Sequence, residues 1–338
     1  MERQKRLRTR NKQPEEAMPI ADTIKLSSGQ EMPVIGYGTW QIPKAQASEC
    51  VREALELGYR HIDTAPSFRN LAEVAETVVS WLKIRKIRRE ELFITSKIWN
   101  THHSSEKVKE QIEEMLTLFE TTYMDLIVIH WPYGWAEDDG MWPRGSDGKP
   151  VFSDIDYLET WKALEEAHAE GKVKSIGLAN FNVEQVERVY KNAKIKPSVL
   201  QIELNPYLTQ KDVIEYCKQR NIVITATMIT GNPGSVCYRK YEDPNLLFDE
   251  TLVSIARTHG KSVCQVLMRW VLDLGLVGII KSCDKKRTKQ NFNVFKFKLT
   301  ADQIERIDSL NKNFRILWPI LGNNDHKYFP WPFKGDGN

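Results

Sequence analysis

His61-Ile62-Asp63, Leu92-Phe93-Ile94-Thr95-Ser96-Lys97 and Leu126-Ile127-Val128-Ile129-His130 are the runs on which the reading of this chain turns. Each is a short apolar stretch closed by a chemically active side chain, and successive runs lie one strand-plus-helix unit apart. In a parallel barrel, strand ends of this kind gather at one mouth, where an acid, an amine and an imidazole meet. A single such residue reads as structural, and a stabilising ion pair beside one satisfied histidine is the plain alternative. Three at successive strand ends favour a catalytic site.

The alternation continues on both sides of these runs. Strand candidates are Val34 to Gly38, Tyr59 to Asp63, Leu92 to Lys97, Met124 to His130, Val173 to Ala179, Val199 to Ile202, Ile222 to Ala226 and Val277 to Ile280. Helical spacing covers Ala47 to Leu57, Val108 to Phe119, Tyr157 to Ala169, Val183 to Asn192, Lys211 to Gln219, Glu250 to Thr258 and Ala301 to Leu310. Thr300 with Gln303 makes a capping box for the last of these. A β-then-α order implies a parallel sheet, and eight units favour an α/β protein of the closed (β/α)8 barrel type over an open doubly wound sheet. Ahead of it, Thr23 to Leu26, Ser27-Ser28-Gly29 and Met32 to Val34 read as a small hairpin. No Gly-x-Gly-x-x-Gly run is present, which argues against a Rossmann cofactor site.

Two connections are longer than ordinary βα loops, Trp131 to Tyr157 and Met228 to Asp249, and both follow strands, so both should overhang the mouth. The end of the chain, Asn311 to Asn338, carries Trp318, Phe329, Trp331 and Phe333 and reads as a loop folded over the barrel, because those rings need burial. Trp40, Trp99 and Trp131 are expected to line an apolar substrate cavity. Trp81, Trp161 and Trp270 read as helix core, while Trp135, Trp142 and Trp318 fall on overhanging segments.

The 338 residues are 41% hydrophobic and 28% charged, a soluble globular composition. The formal net charge of +3 is too small to imply a nucleic acid or other electrostatic partner. Residues 1–13 nevertheless hold six basic side chains against Glu2, which leaves the remainder close to neutral. Residues 1–22 are therefore expected to be a basic, disordered tail, with 23–338 a single barrel domain. The tail has neither the apolar stretch of a secretion signal nor an amphipathic presequence face, and no run approaches the length of a membrane span. The five cysteines, Cys50, Cys217, Cys237, Cys264 and Cys283, are scattered without a Cys-x-x-Cys pair. They suggest neither a disulfide framework nor a zinc site, so no metal is expected and a cytoplasmic setting is the default.

At this point a resemblance becomes specific. From Thr23 to Phe333 the chain resembles the aldo-keto reductases, (β/α)8 barrels that reduce carbonyls with NADPH and no metal. The likeness rests on Gly38-Thr39-Trp40, Gly58 to Ala65, Ser96-Lys97-Ile98-Trp99, Ile129-His130-Trp131-Pro132, Ile176 to Asn182, Gln201-Ile202-Glu203 and Asn205-Pro206-Tyr207. The resemblance implies a proton-relay tetrad of Asp, Tyr, Lys and His. Asp63, Lys97 and His130 match it, while Phe68 occupies the tyrosine position. A benzene ring cannot donate a proton, and loss of a general acid costs on the order of 10²–10⁴-fold in rate. Rescue would have to come from water or from a cationic His130.

The resemblance also implies NADP(H) binding by Gly38, Thr39, Trp40, Asp63, Asn180, Gln201, Lys281, Ser282, Arg287 and Asn291. A Lys, an Arg and a hydroxyl make a sensible phosphate site. Thr227, in Ala226-Thr227-Met228-Ile229-Thr230-Gly231, stands where the family has a tyrosine that stacks on the nicotinamide, and Gln290 stands where it has a Glu near adenine. The expectation is a monomeric NADP(H)-binding reductase of small carbonyl substrates, weakly active because of Phe68. The alternative is an inactive member acting as a cofactor sensor, structural protein or partner-binding module.

Overall fold

Short buried strands alternating with helices that bury one face curl the chain into a ring. A computed structural model describes residues 22–85, 87–137, 140–235, 238–317 and 325–331. The basic tail up to residue 21, together with Cys237, Trp318 and Phe333, lies outside the described residues. Eight parallel strands form a closed barrel: β3 (Ile35–Gly38), β4 (His61–Asp63), β5 (Phe93–Ile98), β6 (Met124–Ile129), β7 (Val173–Ala179), β8 (Val199–Glu203), β9 (Val223–Thr227) and β10 (Val277–Ile280). They follow one another around the ring in chain order, and β10 closes on β3 through Gly278 opposite Ile35 and Ile280 opposite Tyr37. All eight expected strands are present. Closure removes every strand edge and aims all eight strand ends the same way.

The hairpin of β1 (Thr23–Lys25) and β2 (Glu31–Pro33) is antiparallel, with Ile24 opposite Met32. It is a plug. Leu26 and Met32 pack with Phe93, Leu126, Val128, Val199, Val223 and Val277 inside the barrel. Ser27 Oγ donates to Ser198 Oγ at 3.0 Å, and Ser28 and Ser175 hydroxyls lie 2.7 Å apart. With the floor filled, ligands are left the opposite mouth.

Helices surround the ring: α1 (Lys44–Glu56), α2 (Leu71–Arg85), α3 (Ser105–Leu118), α4 (Tyr157–Ala169), α5 (Val183–Asn192), α6 (Lys211–Lys218), α7 (Glu250–His259), α8 (Val263–Asp273), α9 (Lys285–Phe292) and α10 (Ala301–Asp308). Their starts are set by local chemistry. Asn182 with Gln185, Ser262 with Gln265 and Thr300 with Gln303 are reciprocal capping boxes, and the last is the one read from sequence. The spacing pattern gave no boundaries for α2, α8 or α9. In α8 every residue from Gln265 to Val271 is buried, so no polar stripe marks a face, and α9 is basic with little apolar content.

The chain end returns across the mouth. At the end of β8, the buried Glu203 carboxylate accepts from the Ile316 N–H at 2.9 Å and the Leu317 N–H at 2.7 Å. Farther on, Gln185 Nε2 donates to the Tyr328 carbonyl and Asn182 Nδ2 to the Pro330 carbonyl, each at 2.8 Å. Phe329 and Trp331 then join Trp99, Trp131, Tyr133 and Trp135 in one aromatic cluster. The aromatic tail is thus folded over the barrel where it is described.

Candidate active site

Strand β4 carries Asp63 to the mouth, β5 carries Lys97, and His130 follows β6 by one residue. The structure brings the three together. Lys97 Nζ donates to both Asp63 oxygens at 2.9 Å and to the Thr64 carbonyl at 3.1 Å. Gln201 Nε2 adds a bond of 2.8 Å to Asp63 Oδ2. Both members of the pair are buried, so each charge is compensated by the other rather than by water. Burial lowers the Lys97 ammonium from its ordinary range, against the pull of Asp63. Thr39 is buried behind the site, where its N–H and its hydroxyl brace the Asp63 carbonyl at 2.9 and 3.1 Å.

Phe68 ends the short 3-10 turn Pro66–Phe68 and faces this pair. Lys97 Nζ lies 5.1 Å from the centroid of its ring, and the His130 ring meets it edge-on at 5.9 Å. The hydrocarbon ring therefore occupies the ground between ammonium and imidazole. His130 is held from two sides: Trp99 packs edge-on at 5.0 Å, and Asn180 Nδ2 donates to the His130 carbonyl at 2.9 Å. Ser67 Oγ stands 3.5 Å from His130 Nδ1, at the outer limit of a hydrogen bond. Burial first, and the Lys97 charge second, push the imidazole well below its ordinary pKa. The ring is neutral near pH 7, which removes the imidazolium as an easy substitute for the missing phenol.

A cavity of about 650 Å³ opens over these groups, a size suited to small organic ligands. Trp40, Trp99 and Trp131, the three rings expected there, all line it. The long connection after β6 contributes Tyr133, Trp135 and Trp142, the one after β9 contributes Met228, Ile229, Thr230, Asn232 and Tyr238, and the chain end contributes Leu317. Among the described residues, nine other than glycine have positive φ, and five of them, Gln41, Arg69, Asn180, Met228 and Asn232, line this cavity. Backbone strain concentrated in this way is a mark of sites that hold ligands.

The expected cofactor residues divide by position. Gly38, Trp40, Asp63, Asn180, Gln201 and Lys281 line the cavity. At Gly38 a Cβ would come 2.9 Å from Ile279 Cγ2, so only glycine keeps this strand end close to the opening. Asn180 and Gln201 use their amide nitrogens within the wall, which leaves each amide oxygen as an acceptor. Lys281 leads out of the cavity toward Ser282, whose carbonyl is held by Tyr37 Oη at 2.7 Å and Thr288 Oγ1 at 3.1 Å. Arg287 is exposed in the first turn of α9, its N–H capped by Asp284 at 2.8 Å, and Asn291 is buried on the same helix. These three residues, like Thr39, are not among those that line the cavity. At the end of β9, Thr227 donates its hydroxyl to the Ile202 carbonyl at 3.1 Å and puts no ring there.

Residues the sequence reading passed over are Ser67, Arg69, Tyr133 and Tyr238. Arg69 and Ser67 flank Phe68, so scrutiny of that neighbour would have found them. Tyr238 lies within a connection already expected at the mouth, without a pattern to single it out. Among the described residues, no group of three or more His, Cys, Asp or Glu is placed to hold a metal ion, and no helix is long and apolar enough to cross a membrane.

Comparison with known proteins agrees with this architecture. Residues 34–312 match the model of the aldo/keto reductase family. The chain is 38% identical over 304 residues to aldo-keto reductase family 1 member A1 of Gallus gallus, covering 90% of this chain and 93% of that one. It is 39% identical over 300 residues to the Xenopus tropicalis protein of the same name, covering 88% and 91%. Member A1-A of Danio rerio is 39% identical over 321 residues, covering 91% and 98%.

Proposed function

The chain belongs to the aldo/keto reductase family, and from that premise we propose that it binds NADP(H) and reduces small aldehydes or ketones slowly. The observation that carries this reading is Lys97 bonded to both Asp63 oxygens beneath the Phe68 ring, with His130 alongside and one cavity over all of them. The residues present fit the cofactor at two of three points. Lys281 and Arg287 are cations for phosphate, with the Ser282 hydroxyl between them, and the amide oxygens of Asn180 and Gln201 accept from a carboxamide. Thr227 supplies no stacking ring.

When bound, NADPH would supply the hydride. The chain's own part is to orient the carbonyl and to admit a proton donor. His130 is neutral, and in the tautomer with the proton on Nε2 it would donate a hydrogen bond to the carbonyl oxygen, with Ser67 Oγ 3.5 Å from Nδ1 on the other side of the ring. Apolar walls built from Trp40, Trp99, Trp131 and Phe68 exclude bulk water. The Lys97–Asp63 pair is assembled to shift a phenol that is absent here, so the proton must come from a water admitted beside Phe68. Slow turnover follows, and the setting that fits such an enzyme is the cytoplasm, as a monomer.

A second reading has its own support. Phe68 and Thr227 remove the donor and the stacking ring at one reacting centre, which suits a cofactor sensor or a structural protein on the same barrel. The two readings separate in one paired experiment. NADPH is titrated against tryptophan fluorescence, and steady-state turnover of simple aldehydes is measured for wild type and Phe68→Tyr. Saturable binding and a rise in kcat/KM of about 10²–10⁴-fold in the variant are expected. Equal turnover in both proteins would refute the role given to Phe68. Saturation with no turnover in either protein would favour the sensor, and absence of saturation a structural role.

A further inference from the structure

The cysteines show no pairing pattern in the sequence, yet the fold brings two of them together. Cys50 lies on the inward face of α1, buried with Ala47, Val51 and Ala54. Cys283 is exposed in the turn between β10 and α9, just beyond Lys281 and Ser282. The Cys50 thiol meets both the Cys283 thiol and the Tyr37 hydroxyl. Tyr37 Oη also donates to the carbonyl of Ser282, the residue before Cys283, at 2.7 Å. One turn along α1, Glu53 pairs with Lys285 at 3.3 Å on the other side of the turn. Polar contacts on both sides thus keep the two sulfurs against each other. Cys217 and Cys264 have no thiol neighbour among the described residues.

Packing accounts for Cys50, a small side chain within the core, but not for an exposed thiol seated on it. We propose that Cys50 and Cys283 are a reversible disulfide site, oxidised by a peroxide and reduced by a dithiol, that acts on the phosphate-binding residues beside it. Exposure makes Cys283 the sulfur that a peroxide reaches first. Its thiolate attacks one peroxide oxygen, the O–O bond breaks, and the departing hydroxide takes up a proton and leaves as water. Cys50 then attacks the sulfenic sulfur across the contact. The S–O bond breaks, and the leaving hydroxide carries off the Cys50 proton as a second water. Two thiols are oxidised by two electrons, and one hydrogen peroxide is reduced to two waters. Burial, with the bond to Cys283, pushes the Cys50 thiol up to about 12. It therefore stays protonated, does not compete for peroxide, and holds the proton that the leaving hydroxide needs.

The consequence follows from chain connectivity. A covalent S–S bond is shorter than any non-bonded contact of two sulfurs, so bridging draws Cys283 toward α1. Ser282 is pulled from the Tyr37 hydroxyl, and Lys281 and Arg287, on either side of the turn, lose their placement for a phosphate. This consequence rests on the NADP(H) reading above, whereas the pairing of the thiols does not.

The test is mass spectrometry of the full-length reduced protein after treatment with stoichiometric hydrogen peroxide. Wild type should yield a disulfide-linked peptide pair holding Cys50 and Cys283, and dithiothreitol should restore both thiols. Cys283→Ser, a change at an exposed position, should form no bridge and keep the wild-type melting temperature. Cys50→Ala should instead carry a sulfenic acid on Cys283, captured by dimedone. NADPH titrated against tryptophan fluorescence should bind oxidised wild type about tenfold more weakly than reduced wild type, while peroxide leaves Cys283→Ser unchanged. Absence of the Cys50–Cys283 peptide pair, or oxidation that falls first on Cys217, Cys237 or Cys264, overturns the proposal. A bridge that leaves NADPH affinity unchanged overturns its action on the phosphate-binding residues. Reduced wild type that fails to bind NADPH would refute the cofactor reading alone, because the peptide measurement does not depend on it.

Discussion

At the scale of single residues, the site joins a buried ion pair to a ring that cannot use it. An uncompensated buried charge is far more costly than a missing pair. Lys97→Met should therefore destabilise the protein by about 3–5 kcal/mol in urea unfolding, and the double variant Asp63→Asn/Lys97→Met should recover much of that loss. If Lys97→Met unfolds at the wild-type midpoint, the pair is not desolvated as the bonds of 2.9 Å imply. Thr227 invites the opposite experiment, adding what is missing. An aromatic ring stacked on a flat ligand contributes about 0.5–1.5 kcal/mol beyond its buried area, so Thr227→Tyr should tighten NADPH binding several-fold in the fluorescence titration. Unchanged affinity would mean that the cofactor ring does not lie against the end of β9.

At the scale of elements, the mouth is finished by segments that start far apart in the chain. Glu203, buried at the end of β8, holds the Ile316 and Leu317 N–H groups, and Arg315 lies 3.9 Å from the centroid of Trp331. Burial raises the Glu203 carboxyl above its ordinary range, with Arg315 opposing that rise. Glu203→Gln leaves one acceptor oxygen for two backbone donors, and an unsatisfied buried donor costs about 1–3 kcal/mol. The expected result is faster hydrogen exchange across residues 311–317 with the barrel strands unchanged; uniform protection in the variant would show that the aromatic cluster alone fastens the segment. The same scale explains which helices were legible. α4 and α5 begin and end as read because each has one buried face and a side-chain cap, Asp156 on Leu158 N–H and Asn182 on Gln185 N–H. α8, buried on most of its surface, has no such contrast to read.

At the scale of the whole molecule, enclosure decides the response to acid. Burial brings the His61 imidazole down to about 4 and His103 to about 3, from an ordinary 6.5, and lowers His130 as well. Each group binds its proton less tightly when folded than when unfolded. Its contribution to stability is thus complete above pH 6.5 and is lost as pH falls toward these lowered values. Each histidine that titrates only in the unfolded chain removes about 1.4 kcal/mol per pH unit across that window. Glu203 runs in the opposite sense, because a raised carboxyl favours the folded state as pH falls. Asp125 is raised by burial in the same way as Glu203, while burial also lowers His102 and His326; five histidines outweigh two carboxyls, so urea midpoints should drop steeply between pH 6.5 and pH 4.5, and His103→Gln should flatten the slope. A level profile through that range would contradict the burial of these rings. Both ring nitrogens of His103 lack a hydrogen-bond partner, which makes it the least compensated of these histidines.

Several features were determined by the sequence itself. Periodicity and strand-end chemistry are local, so eight strands, a small hairpin ahead of them, the Thr300 cap and the grouping of Asp63, Lys97 and His130 could be read from neighbouring residues alone. So could the absence of a phenol at Phe68, since chemical identity does not depend on folding. The tertiary structure alone decided what depends on distance between remote segments. It made His130 neutral by enclosing it beside Lys97, and it joined Gln201 to Asp63. It also drew residues 311–317 over the mouth through Glu203. Desolvation and charge balance are sums over everything nearby in space, and a linear chain does not say what will be near.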